Sequence, residues 1–397
     1  MRALDETTWR RAAFSLFAVA AGTNVPTPLL LVYRDALHLS PDVLTAVFGS
    51  YAAGLVPALF LAGPASDRLG RRRLVVVFSG LAGLTSLLLV AAAHSLPLLF
   101  VGRCLQGAVS GAVFSVGSAW ITELSGPRAG QAAGRRAAVA MTAGFSLGPL
   151  TAGVLAQYGP APTTIPYLLH VALVTCGLLV ARTLPETVTP RPAGAARAGG
   201  PLVLPHERRV LLTVLAPMSV CVYAFPSVVI AAVPLLVSTS APPVLLTGVL
   251  AGLTLGAGAL AAPLQRRFGP WSATIGVLSG AGGYALAALG SGSGSPPLLL
   301  LAALLLGGGG GLVLAAGLGL MARVARPERR GALSAVFYAC AYLGFAGPYL
   351  TAVMAQATTV QVPLTAAALL ALALAVRLVL ATRAGQLRTQ LPSAVPT

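Results

Sequence analysis

The chain has 397 residues, 56% of them hydrophobic and only 9% charged, with a mean hydropathy of +0.86. Soluble domains carry about 25% charged residues, so water is not the solvent expected for most of this surface. The formal net charge is +17 and all 26 basic residues are Arg. They stand in small knots between apolar runs of about 20 residues, roughly one bilayer thickness, not gathered on one exposed face as nucleic-acid binding requires. No nucleic-acid partner is expected.

Taken in chain order, the apolar runs predict twelve membrane-spanning helices at 11–33, 42–64, 74–94, 97–121, 136–157, 163–184, 209–237, 243–264, 272–290, 296–322, 334–356 and 361–382. Turn chemistry separates them at "HSLP" (His94 to Pro97), "YGPAPTTIP" (Tyr158 to Pro166) and "GSGSGSPP" (Gly290 to Pro297). The first run is too long for a cleavable signal segment and lacks a clear small-residue cleavage site. Cys104, Cys176, Cys221 and Cys340 lie within apolar runs and read as small buried hydrophobes. With the N-terminus cytoplasmic, nearly every arginine falls on the inner side, from Arg10 and Arg11 through Arg71 to Arg73, Arg135 and Arg136 to Arg266 and Arg267. Only Arg34 falls outside, and Arg103 lies within a span. The positive-inside rule therefore puts both termini in the cytoplasm of a multi-pass cell-membrane protein. The Pro-, Gly-, Ala- and Arg-rich stretch 185–207 reads as a flexible cytoplasmic linker. It separates a bundle at 1–184 from a second at 208–397, which ends in a short tail.

A shift of 199 residues lays "GPLTAGVLAQ" (Gly148 to Gln157) over "GPYLTAVMAQ" (Gly347 to Gln356), sharing Gly, Pro, Val, Ala and Gln. The same shift lays "GPASDRLG" (Gly63 to Gly70) over "APLQRRFG" (Ala262 to Gly269). With one residue more, Gly111 and Gly117 meet Gly311 and Gly317, and Pro26 meets Pro226. Equal spacing over separate segments predicts duplicated six-helix halves in parallel orientation, an arrangement of transporters whose site lies between the halves.

The densest charge is "GPASDRLGRRR" (Gly63 to Arg73), between the second and third spans. Its Gly63, Asp67, Arg68, Gly70, Arg71 and Arg72 match the pattern G-x-x-x-D-R-x-G-R-R. On this loop the chain resembles the major facilitator superfamily, over essentially its whole length. The resemblance implies an all-α membrane fold of two pseudo-symmetric six-helix bundles. It also implies a conformational latch, with Asp67 facing the N-terminus of the eleventh span near Gly331 to Ser334. Gly63 and Gly70 would give close approach and a sharp turn, and Arg68 and Arg71 would hold carboxylates or carbonyls. The second-half copy has Arg266 in place of Asp67, so a latch is expected on one side only.

In the first span "TNVPTP" (Thr23 to Pro28) predicts a broken helix, with Asn24 either meeting a polar ligand or capping the kink. In the fourth, "GRCLQGAVSG" (Gly102 to Gly111) is similar to the family's R-x-x-Q-G pattern. Arg103 and Gln106 share a helix face. An intramembrane arginine costs at least about 2.5 kcal/mol, so it needs a substrate, a proton path or backbone carbonyls of the first span. In the fifth, "GFSLGPLTAG" resembles the signature of the family's drug/proton antiporter branch, with Ala152 replacing one Gly. There Gly144, Gly148 and Gly153 allow close packing and Pro149 bends the helix. In the sixth span His170 is either a satisfied polar residue or a titrating one. Tyr223 and Phe225 in the seventh, with Tyr338 and Tyr342 in the eleventh, are candidates for an aromatic wall. "GGGGG" (Gly307 to Gly311) in the tenth reads as close packing or pliancy.

The nine acids are Asp5, Glu6, Asp35, Asp42, Asp67, Glu123, Glu186, Glu207 and Glu328, none in the middle of a span. Asp35, Glu123 and His170 are the nearest candidates for proton coupling. The absence of a mid-span acid disfavours multiply cationic cargo, while Arg103 favours neutral or anionic cargo. These features lead to a monomeric secondary transporter exporting small apolar or weakly charged compounds by alternating access, with protons as the candidate exchange ion. Import or uniport of a sugar or organic anion is the alternative, and a membrane sensor or scaffold on the same fold is an alternative of another class. No metal set, Ser/His dyad or acid pair occurs in the spans, so neither enzyme activity, a metal nor a cofactor is expected.

Overall fold

In hydrocarbon every backbone N–H and C=O must be satisfied within its own segment, and a chain rich in Ala, Leu, Val and Gly does so as helices that are apolar on all sides. A computed structural model describes residues 7–126, 129, 131–188, 211–324 and 330–385, except the side chains at 131, 211, 322–324 and 330–335. The described chain forms α1 (Thr8–Thr23), α2 (Pro26–Leu37), α3 (Pro41–Leu69), α4 (Arg71–Ala91), α5 (Leu96–Leu124), α6 (Gln131–Tyr158), α7 (Ile165–Arg182) and α8 (Ala216–Ser227). It continues through α9 (Val233–Leu236), α10 (Pro243–Ala261), α11 (Gln265–Phe268), α12 (Ser272–Ser293), α13 (Pro296–Val324), α14 (Arg330–Tyr342), α15 (Gly347–Ala357) and α16 (Gln361–Arg383). No strand occurs among the described residues.

Eleven helical stretches among them are long and apolar enough to cross a membrane. One of the eleven, Pro243–Ser293, is 51 residues long and contains both α10 and α12. At about 1.5 Å per residue it exceeds twice the hydrocarbon thickness, so it holds the eighth and ninth expected spans. Large apolar side chains such as Leu61, Leu260 and Leu370 are 70%, 81% and 73% exposed, which suits contact with acyl chains.

Three expectations need correction. The last predicted span but one is not a single helix: α14 stops at Tyr342, a tighter turn occupies Leu343–Ala346, and α15 begins at Gly347. The Gly/Ser connector is mostly helix, because α12 runs to Ser293 and only Gly294 (φ 62°) and Ser295 join it to α13. The cysteines are not deeply buried: all four are free, Cys176 is exposed and the others half-buried, because their helix faces are apolar on the outside as well.

By contacts the chain divides into two compact units, Met1–Gly194 with Ala241–Gly256, and Ala195–Ser240 with Ala257–Thr397. In the first unit α6 lies against α1, where a Cβ on Gly148 would collide with the Ala21 carbonyl and one on Gly144 would come within 2.6 Å of the Ala20 Cβ. The segment 241–256 joins this unit through α6 as well. Gln157 Oε1 accepts hydrogen bonds from the Val244 and Leu245 N–H groups at 3.2 and 3.3 Å, and a Cβ on Gly153 would stand 2.9 Å from the Gly248 Cα. In the second unit the glycine run of α13 is a packing surface: Gly309 meets the Gly276 carbonyl of α12, and Gly311 meets the Gly258 carbonyl of α10.

Candidate functional site

The first span is broken where the sequence places its prolines, with Asn24 and Val25 between α1 and α2. Pro26 has no N–H for the Gly22 carbonyl, and the Thr27 N–H turns to the Asn24 carbonyl at 3.1 Å. The Thr23 carbonyl is thereby left without its helical partner, and the Gly22 carbonyl keeps only the Val25 N–H at 3.3 Å. Gln106 Nε2 donates to the Gly22 oxygen at 2.7 Å, and Arg103 donates from one terminal nitrogen to the Thr23 oxygen at 3.0 Å. The same nitrogen reaches Gln106 Oε1 at 2.5 Å, and the other terminal nitrogen reaches the Phe48 carbonyl at 3.3 Å. The guanidinium also lies 4.9 Å from the Tyr51 ring centre and 5.7 Å from that of Phe48. Arg103 is 2% exposed, and only its Nε lacks a partner. Its desolvation is thus offset by carbonyls, an amide and aromatic faces rather than by an acid. Asn24 is half-buried and its side chain makes no hydrogen bond with a described residue.

At one end of the first unit, Gly70 (φ 93°) turns the chain from α3 into α4. Arg71 sits at the centre of a network: it pairs with Asp67 at 2.7 Å and Glu123 at 3.2 Å, and donates to Ser66 Oγ. Glu186, beyond α7, accepts the Arg71 and Arg72 backbone N–H groups at 2.8 and 3.0 Å, placing a carboxylate on the open N-terminus of α4. Thr187 donates to Glu123, Arg72 donates to the Leu184 carbonyl at 3.3 Å, and Trp120 Nε1 donates to the Pro185 carbonyl at 3.3 Å. Residues 185–188 of the expected flexible linker are thus docked on the loop; 189–207 lie outside the described residues. Arg68 is exposed and has no described partner. A Cβ on Gly63 would touch only Ser115 Oγ at 3.7 Å, so the close approach expected there is not found within this unit. The side chains at Gly331 to Ser334, the expected partner of Asp67, lie outside the described residues.

In the second unit three predicted aromatics come together. Tyr223 and Tyr342 stack at 4.7 Å with 14° between planes, and the Tyr223 hydroxyl donates to that of Tyr342 at 3.4 Å. Tyr338 adjoins Tyr342 at 6.5 Å, and Phe345, not foreseen, completes the group at 5.3 Å from Tyr223. Phe225 is not part of this wall: it is 2% exposed and packs edge-on against Tyr284 at 5.6 Å. The cause is helical phase, since two residues along a helix face nearly opposite sides. Here α8 presses on the break after α14. A Cβ on Gly344 would meet the Ala224 nitrogen and Val220 oxygen, and Ser227 Oγ donates at 3.2 Å to the Gly344 carbonyl, which Pro348 cannot serve.

The three candidates for proton coupling are all engaged. Asp35 is exposed and pairs with Arg34 at 2.9 Å, while Glu123 belongs to the Arg71 network. His170 is buried, with Nδ1 2.7 Å from Ser86 Oγ and Nε2 3.1 Å from the Ala18 carbonyl, both within hydrogen-bonding distance. Pro149 lies inside α6, which runs through it without interruption.

The family model for the Major Facilitator Superfamily matches residues 12–292. The chain belongs to this superfamily. It is 32% identical over 124 residues to the MFS-type transporter YfiU of Bacillus subtilis (strain 168), covering 30% of this chain and 24% of YfiU. It is 36% identical over 108 residues to a triacylglyceride transporter of Mycolicibacterium smegmatis (strain ATCC 700084 / mc(2)155), covering 27% and 19% respectively. The matched segments thus span about a quarter or less of these relatives. Among solved structures it resembles the peptide transporter POT in complex with sulfate, with a TM-score of 0.79 at 15% identity over 97% of this chain and 96% of the other. It also resembles the nucleoside transporter NupG, with a TM-score of 0.73 at 14% identity over 95% and 99%. At these identities the likeness concerns the fold alone.

Within this superfamily chain, sequence reasoning missed Glu186, Tyr51 and the buried pair Tyr33–Tyr167, whose hydroxyls lie 2.8 Å apart. Glu186 carried one usable signal: it is an acid just after a predicted span, opposite a loop whose helix start lacks a cap. The tyrosines carried none, because an aromatic residue in an apolar run reads as packing.

Proposed function

We propose that this chain is a secondary membrane transporter that exports small, apolar or weakly charged compounds by alternating access. The observation that carries the choice of cargo is the state of Arg103. Its terminal nitrogens are taken by the Thr23 and Phe48 carbonyls and by Gln106. A guanidinium so engaged gains little from a carboxylate cargo, which would have to displace its bonds to Gln106 and to the Thr23 carbonyl, whose helical donor Thr27 N–H is turned to Asn24. That weighs against organic anions. Within the second unit, polar contact with cargo then falls to the Tyr223, Tyr338 and Tyr342 hydroxyls, beside flat aromatic faces suited to uncharged molecules. The apolar cargo in the name of the mycobacterial relative agrees with this choice.

Flux in proteoliposomes across a panel of neutral, anionic and cationic compounds tests the proposal. Neutral amphiphiles should move, and Tyr342→Ala should slow them at least about tenfold, the loss of a stacking wall. Selective movement of anions, abolished by Arg103→Gln, would reverse the cargo assignment. Exchange for protons predicts that outward flux follows an imposed pH gradient. Because Asp35, Glu123 and His170 all have partners, uniport is the second reading, and flux indifferent to the gradient assigns it.

A further inference from the structure

The cytoplasmic ends of α1 and α6 border a groove of about 440 Å³ that none of the candidate site residues described above lines. Its rim is basic: Arg10, Arg135 and Arg136 line it beside Trp9, with the Arg136 guanidinium over the indole 4.1 Å from the ring centre and that of Arg10 at 5.6 Å. Its floor is apolar, formed by Phe14, Phe17, Val139 and three alanines. From Trp9 to Phe17 the helix rises about 12 Å, so charge gives way to hydrocarbon within the depth of a lipid headgroup and the first part of its chain.

The positive-inside rule accounts for arginines on this side of the membrane but not for their grouping around one groove. Elsewhere on the same face Arg71 is neutralised by two carboxylates. Among the described residues no carboxylate pairs with Arg10, Arg135 or Arg136. A guanidinium held over an indole by its positive charge still has N–H groups left to grip a phosphate.

We propose that this groove is a binding site for one anionic phospholipid, its phosphate held by Arg10, Arg135 and Arg136 and the start of an acyl chain lying on Phe14, Phe17 and Val139. A soluble anion would match the rim but leave the apolar floor wet. A zwitterionic lipid would match the floor but bring a cation to the rim.

Native mass spectrometry of the full-length protein in detergent, titrated with dioleoyl phosphatidylglycerol, dioleoyl phosphatidylcholine or inorganic phosphate, tests the assignment. One phosphatidylglycerol should be retained at concentrations where phosphatidylcholine is not. The double variant R135Q/R136Q should bind it about tenfold or more weakly, whereas Arg267→Gln, an exposed arginine of the second unit, should not change it. Val139→Trp, which fills the groove and keeps every charge, should abolish the same binding event and serves if the arginine variant proves unstable. Equal retention of both lipids, displacement by millimolar phosphate, or unchanged binding in both groove variants would overturn the proposal.

Discussion

The loop from α3 to α4 and the loop from α10 to α12 occupy equivalent places in the two halves, and both turn on a glycine with positive φ, 93° at Gly70 and 53° at Gly269. Their surroundings differ. Around Gly70, Asp67, Glu123 and Glu186 engage Arg71 and the open end of α4, and a Cβ on Gly70 would strike the Glu186 carboxylate. Around Gly269 no heavy atom lies within 4 Å of where a Cβ would stand, and the turn is held by Ser272 Oγ donating to the Gln265 and Gly269 carbonyls at 3.0 and 2.6 Å. The shared glycine supplies the turn in both halves. The network described around Gly70 ties three separate parts of the first unit to a single arginine.

Substitutions at matched positions break that comparison or sharpen it. The largest effect is expected at Gly70: G70A combines a backbone region open essentially to glycine with a collision against Glu186, and should cost about 3 kcal/mol, against about 1–2 kcal/mol for G269A. Thermal unfolding of the two purified variants compares them, and equal losses would mean the network adds nothing to the turn. Next is Arg71→Met, which leaves the partly buried Glu123 without its cation and should cost about 1–2 kcal/mol; Arg267→Met, exposed in the second loop, should cost less than about 0.5 kcal/mol. Glu186→Ala uncaps α4 and should lower stability by about 1 kcal/mol. Hydrogen exchange at the Arg71 and Arg72 amides would register it directly. Asp67→Asn has the smallest expected effect on stability, about 0.5 kcal/mol, because its carboxylate is 63% exposed. If Asp67 is nevertheless a latch, transport by that variant should fall while its unfolding temperature barely moves, and unchanged flux would remove the latch.

A second pair of equivalent segments carries the same lesson about how far sequence reaches. Gly148–Pro149 and Gly347–Pro348 align within the repeat, yet α6 runs through the first and the helix is interrupted before the second. The dipeptide is the same. The local difference is Gly344, which lets α8 come so close that Ser227 adds a second donor to the Gly344 carbonyl, beside the Gly347 N–H, in place of the N–H that Pro348 lacks. No property of the eleventh span alone announces that partner. Arg103 and Gln106 illustrate the favourable case: their shared face and the Pro26 break were both legible, and the missing N–H of Pro26 points to Gly22 as a carbonyl without its i+4 donor. That Arg103 would also take Phe48 and lie against Tyr51 depended on the approach of α3 to α5. Phe225 fell on the wrong side of the aromatic group because apolar residues surround its helix, leaving no polar face to fix the phase.

What the sequence determined by itself follows from solvent and covalent geometry. Runs of apolar residues matched to the bilayer set the spans, the arginine asymmetry set the expected orientation, and proline and glycine set where the first span breaks and the loops turn. What only the tertiary structure decided is which distant groups meet. Glu186 reaches the α4 N-terminus from beyond α7, Gly344 admits α8, and Arg103 is satisfied by carbonyls instead of an acid. In a chain whose helices are apolar on every side, periodicity cannot say which face is inside. The pairing of the few polar groups is therefore settled by which helix surfaces can approach most closely.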